Sequence, residues 1–321
     1  MTPPKKYKPD IRWDQSEFEK LAATWSPERI AADEEILNRI FREAEASPVL
    51  MKEIVWAQQH GVRFFVDHQA DTANGYYTLG TGVVAVTPNA KGDQLIDTLA
   101  HELRHAWQDY HGLAAWPDDT PDEGTFADMA IKQALIEADA TAFGVLARLQ
   151  AEISGIEKRQ NSCELLWSWE QRILAQKPKA MAETPILARE FKSWFTRERK
   201  WHPKRYGDYF SKLFGRKWGL YDGELPPRNF EFQPVEPKTE GIDIRDMQDV
   251  LRLGVTFFGA KNYLAALQPD FLPKKVLRQE LANKFWGAAG KKAQKLTQDL
   301  RKAELKKKLA PENRKARHPW S

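Results

Sequence analysis

The chain has 321 residues, 42% apolar and 29% charged, with a net charge of +4, which gives room for a sizeable core and for one large or two modest domains. Its single cysteine, Cys163, excludes an intrachain disulfide framework and a cysteine-rich metal knot, and reads as a half-buried structural thiol. No run approaches the roughly 18 apolar residues that cross a bilayer, and charged sequence stands where a signal peptide needs an apolar stretch, so the expected setting is a reducing, bacterial-type cytoplasm.

Residues 1–12 read as a loose, Pro/Lys-rich leader. Ser26-Pro27-Glu28 then announces a helix: a Ser N-cap, Pro at the first helical position and an acidic first turn, with Ile30, Ile36, Leu37, Ile40 and Phe41 on one face. Ser47-Pro48 opens a second helix by the same device, which Gly61 stops. The texture changes at 62–66, 75–79 and 82–87, which read as three strands separated by Asn74-Gly75 and Gly80-Thr81-Gly82 turn chemistry, and a small antiparallel sheet is expected. After a loop at 88–92, Asp93 is placed to cap a helix running to Tyr110.

An Ala-rich helix is predicted over 124–153, another over 163–175, and a joint at Lys177-Pro178-Lys179. Beyond it, 185–218 is rich in aromatic and basic residues, 221–245 is Pro-rich and mostly loop, and short helices at 244–253 and 258–268 precede a final helix over 273–309. Residues 291–321 carry a local net charge of +8, leaving −4 for the rest of the chain. The expected organisation is α+β and mostly helical: the leader, a first domain over 13–178 with a small three-stranded sheet beside a central helix, an aromatic-rich helical region over 179–290, and a basic helical tail over 291–321.

The segment with chemical content is His101-Glu102-Leu103-Arg104-His105. Four residues advance a helix by about 400°, so His101 and His105 share a face and their imidazoles can reach one ion at about 2.0–2.1 Å. Glu102 is offset by about 100°, placed to take the proton of a water on a single Zn2+ as that water attacks a carbonyl. Leu95, Ile96, Leu99, Leu103 and Trp107 supply a buried flank for this helix. A third protein ligand has to complete the site while leaving a position for water, and Glu137 is the candidate: an acid amid Ala, Leu and Ile on a core-facing helix needs a partner. Asp139 lies about 200° round that helix from Glu137, so the two carboxylates cannot both face the ion. His111, ten residues after His101, is the alternative third ligand, as in HExxHxxGxxH. Gln108 stands where that pattern has its Gly, and would hold the helix straight.

Asp97 and Asp109 fall four residues before His101 and four after His105, where either could hold an imidazole N–H, tie the helix to its neighbours, or pair on the surface with Arg104 or Lys132. Asp139 is a further candidate for that supporting role. Tyr76 and Tyr77 sit on a strand that could border the cleft, bind an extended peptide by strand addition or stabilise an oxyanion, with a core position as the alternative. His202, Tyr206 and Tyr209 are other possible electrophiles.

His101 to Gln108 followed by Glu137-Ala138-Asp139-Ala140 resembles bacterial metallopeptidase-like domains of unknown function of the HELxHxxQ…EADA type, and is similar to the gluzincins at large, whose helix pattern HELxHAxxDY is matched from His101 through Tyr110. The resemblance covers 60–150. It implies a zincin-like core and a zinc peptidase with His101, His105 and Glu137 as ligands and Glu102 as general base. It departs at Thr141, where thermolysin-like enzymes have an Asp four residues after the third ligand. A peptide or protein is the expected substrate. The rival readings are a zinc-stabilised binding module without turnover, and a nucleic-acid-associated protein acting through 291–321, whose charge also suits an anionic surface.

Overall fold

The computed structural model describes residues 13–70, 74–114, 126–162 and 166–195, together with 231–232, 241–244, 246–256, 262–265, 267 and 302. The expectations for the 1–12 leader, Cys163, His202, Tyr206, Tyr209, most of 221–245, and the 273–309 helix with its basic tail lie outside these residues, Lys302 excepted. Packing divides the chain into two compact units, Met1–Trp116 with Lys132–Thr196 and Pro227–Leu272, and Pro117–Ile131 with Arg197–Pro226 and Pro273–Ser321. Nearly every described element belongs to the first.

Helices α2 (Pro27–Ala44) and α3 (Pro48–Gln59) start where their Ser-Pro signals put them, with the Ser26 and Ser47 hydroxyls accepting from the backbone N–H groups of Arg29 and Leu50. Gly61 follows α3 at φ 76°, a left-handed geometry open to glycine. Ahead of them, α1 (Ser16–Ala22) is a seven-residue helix whose N-cap Gln15 makes no side-chain cap, although Asp14 Oδ1 accepts the Ser16 N–H at 3.1 Å. Its stability is tertiary: Phe18 packs into an aromatic cluster with Phe65 and Phe232, against Val83 and Ala85.

Three strands, β1 (Arg63–Val66), β2 (Gly75–Thr78) and β3 (Val83–Val86), form one sheet in the order β1-β3-β2. The sheet is mixed rather than antiparallel throughout: β2 and β3 pair antiparallel across the Gly80–Gly82 turn, and β1 runs parallel to β3 on its other side. Val83-Val84-Ala85-Val86 carries no polar alternation and is buried at every position, as a central strand covered on both faces must be.

Helix α4 (Gly92–Tyr110) packs on β2 and α3. Its N-cap is Lys91 and makes no side-chain cap. Asp93 lies in the first turn instead, where a carboxylate complements the positive end of the helix dipole. Close approach to the sheet depends on Gly75, where a Cβ would stand 2.7 Å from the Ala85 carbonyl oxygen and 3.1 Å from Thr98 of α4. Helix α5 (Phe126–Asn161) is longer than the periodicity predicts and buries Leu135, Ile136, Ala138, Ala142, Phe143 and Leu146. It runs antiparallel to α4: Asp97 meets Gly144 and Arg148, His101 and His105 meet Glu137, and Gln108 meets Ile136. A Cβ at Gly144 would lie 2.7 Å from the Asp97 carbonyl oxygen, so this glycine sets how closely the helices approach.

The remaining described helices are α6 (Ser168–Leu174), α7 (Lys177–Met181), α8 (Thr184–Trp194) and α9 (Met247–Arg252). The expected joint at 177–179 is thus the short helix α7. Pro178 falls within its first two positions, where its missing N–H costs nothing. Tyr263, after α9, is fully buried against Phe143 and Phe191. The protein is therefore α+β and mostly helical, with a small mixed sheet. Among the described residues no helix is long and apolar enough to cross a membrane.

Candidate metal centre

The register of α4 against α5 brings three side chains to one point. His101 Nε2 lies 3.0 Å from His105 Nε2 and 3.5 Å from Glu137 Oε2, and His105 Nε2 lies 3.8 Å from Glu137 Oε1. Ligand atoms around a tetrahedral ion at about 2.0–2.1 Å stand about 3.3 Å apart, a value these three separations bracket. Two imidazole lone pairs at 3.0 Å repel unless a proton or a cation lies between them. Donor types and spacing both fit a divalent transition metal, and among the described residues this is the cluster that could hold one.

Electrostatics agree with that reading. Burial draws the His105 imidazole down, but the Glu137 carboxylate beside it more than offsets this, with help from Glu102 and Gln108, and holds it at about 9. Burial likewise raises Glu137, and His105 and His101 overcome it, keeping the carboxyl well below the ordinary carboxylate range. A metal ion would displace the proton that this pair shares, so binding releases protons and weakens as pH falls. The three side chains are 18%, 14% and 12% exposed for His101, His105 and Glu137, so the cluster opens to solvent on one side. Structural metal sites are closed by four protein ligands, whereas three ligands with an open side leave room for water or substrate.

Glu102 projects beside the cluster, and its Oε2 accepts the Tyr77 backbone N–H at 2.9 Å. Burial raises its carboxyl, against the pull of His101 and His105. What reaches the site from β2 is therefore the Tyr77 amide and not a tyrosine hydroxyl. Tyr76 donates its hydroxyl to Asp67 Oδ2 at 2.7 Å, and Tyr77 donates its own to Asp109. Neither phenol faces the three ligand atoms as an electrophile would.

Of the roles open to Asp97 and Asp109, both take the one that ties α4 to its neighbours. Asp97 pairs with Arg148 at 3.5 Å and lies against Gly144. Asp109 accepts from Tyr77 and from the Gly80 N–H at 2.7 Å, clamping the β2–β3 turn to the end of α4. Neither holds an imidazole. Asp139 pairs with Arg104, at 2.8 Å to Nε, and acts on the histidines only through Gln108, which donates to Asp139 Oδ2 at 2.7 Å and accepts from His105 Nδ1 at 2.8 Å. His111 is not part of the cluster: α4 continues past Gln108 to Tyr110, and the His111 ring packs on Trp107 at 4.4 Å. Burial, with Arg104 and Arg252 nearby, pulls that imidazole down to about 4.

Burial pushes Asp109 up to about 6, although the Tyr77 hydroxyl and Gly80 amide pull it down. The folded state then binds this proton more tightly than the unfolded chain, so its contribution to stability is full below about pH 4 and is lost as pH rises through about 6, an effect on the order of 2–3 kcal/mol. Asp109→Asn removes the titration and keeps an acceptor oxygen. In denaturant unfolding the variant should gain on the parent between pH 4 and pH 7, and a constant difference across that range would contradict the assignment.

These features define a class: an α+β scaffold whose adjacent helices bring two histidines and one carboxylate to a point that could hold a metal ion. Residues 15–211 match the model of the family described as "Putative metallopeptidase family (DUF6782)", about three fifths of the chain, and the protein belongs to that family. No curated protein and no solved structure matches it.

Proposed function

We propose that the protein is a zinc-dependent metallopeptidase with a zincin-like core, the catalytic domain spanning 13–178. The observation that carries this is the convergence of His101, His105 and Glu137 on one partly open point with Glu102 beside it. Zinc suits the donor set, and when bound it would supply the positive charge that acidifies water and polarises a peptide carbonyl. The chain's own residues do the rest. Glu102 Oε2 is pinned by the Tyr77 amide, while Oε1 makes no hydrogen bond among the described residues and is available to take a proton from attacking water. Its raised affinity for that proton, set by burial, brings the carboxylate closer to a working general base and lets it return the proton to the leaving amine. A binding module would need the three ligands and not Glu102.

Incubation with a chelator should abolish hydrolysis of a mixed peptide library by the full chain, and zinc added back should restore it. Zinc bound without turnover of any peptide would favour the non-catalytic binding module.

A further inference from the structure

Gln108 is spent on both faces. Its amide nitrogen donates to the Ile136 carbonyl at 3.0 Å and to Asp139 Oδ2 at 2.7 Å, two groups that can only accept. This fixes which way round the amide sits, because the flipped form would set its oxygen against two other oxygens. Oε1 therefore faces His105 Nδ1 at 2.8 Å, and that nitrogen must carry the hydrogen. His105 is left with its Nε2 directed at the point where His101 and Glu137 converge, the nitrogen whose proton a metal ion would displace. No hydrogen bond fixes His101 Nδ1 among the described residues, so the two histidines are held differently.

Asp139, which locks Gln108, is itself locked from far along the chain. It is fully buried and accepts the Tyr263 hydroxyl at 2.5 Å besides the Arg104 guanidinium, whose own Nη2 donates to the Leu253 and Val255 carbonyls at 2.6 and 3.0 Å. Residues 253–263 lie beyond the 15–211 stretch that matches the family. We propose that Gln108 is the positioning residue of the metal centre, holding His105 as the Nδ1–H tautomer, and that Tyr263 completes its lock through Asp139, so that metal affinity depends on the C-terminal segment. The proposal rests on the metal-centre reading above.

The test uses the full-length chain and zinc alone. Gln108→Met keeps the volume and removes the acceptor, and Tyr263→Phe removes one hydroxyl two contacts away. Zinc affinity by chelator competition should fall about 10- to 100-fold in Gln108→Met, and less in Tyr263→Phe, as for other outer partners of ligand histidines. NMR of histidine-labelled protein should show a slowly exchanging His105 Nδ1–H in the parent that Gln108→Met loses while amide protection elsewhere in α4 persists, which a merely structural role would not produce. If Gln108→Met does not fold, Tyr263→Phe carries the test through the same two readouts. Parent-like zinc affinity in a folded variant, with zinc bound by the parent, overturns the positioning role alone. No zinc bound by the parent overturns the metal centre and this proposal together.

Discussion

Glu102→Gln should lower kcat for peptide hydrolysis by about 10²- to 10⁴-fold, the range for loss of a positioned general base, while zinc content stays that of the parent. The substitution is nearly isosteric. The amide oxygen can still accept the Tyr77 N–H, so β2 remains tied to α4 and the ligand geometry is undisturbed. What disappears is the capacity to take a proton. KM should change little, because in the proposed mechanism the carboxylate acts on water and not on binding, and assaying the zinc-loaded variant checks both halves. Parent-like turnover would remove Glu102 from the chemistry, and loss of zinc would make it a structural support.

The largest expected effect on stability comes from Arg104. It is fully buried, pairs with Asp139, donates to two backbone carbonyls of the 253–255 segment, and stacks over Trp107 at 3.8 Å and Phe143 at 4.1 Å. Arg104→Ala leaves the Asp139 charge buried without its cation, strips both carbonyls of a donor and opens a cavity. Removing one partner of a buried pair costs about 3–5 kcal/mol, a large part of the 5–15 kcal/mol that holds a typical domain together. Denaturant unfolding followed by tryptophan fluorescence should show a loss of at least about 3 kcal/mol. A loss below about 1 kcal/mol, the scale of an exposed pair, would show that Arg104 does not do this. Glu53 of α3 is also buried nearby, and burial holds its carboxyl well above the usual range against the pull of Arg104.

The convergence of His101, His105 and Glu137 was legible because each signal is local. Two histidines one turn apart share a helix face, and an acid among Ala, Leu and Ile on the next helix has few other reasons to be there. The Ser-Pro helix starts were legible for the same reason. The path of the sheet was not: an apolar run such as Val83 to Val86 shows that a strand is buried but not which neighbours flank it. Helix α1 was not legible either, since long-range aromatic contacts through Phe18 hold it. Arg104 reads as an exposed charge able to pair with Asp97 or Asp109, and the structure buries it against Asp139. The missed clue was spacing: Arg104 and Gln108 share a face four residues apart, and Asp139 points away from Glu137 to meet both. That meeting depends on the antiparallel register of α4 and α5, fixed by Gly144 against Asp97, which no window of sequence contains.

Metal analysis of the purified full-length protein, with His101, Glu137 and His111 each changed to Ala, tests the central claim most directly. One zinc per chain is expected in the parent and in His111→Ala, and its loss in His101→Ala and Glu137→Ala. Zinc retained in Glu137→Ala and lost in His111→Ala would contradict the claim.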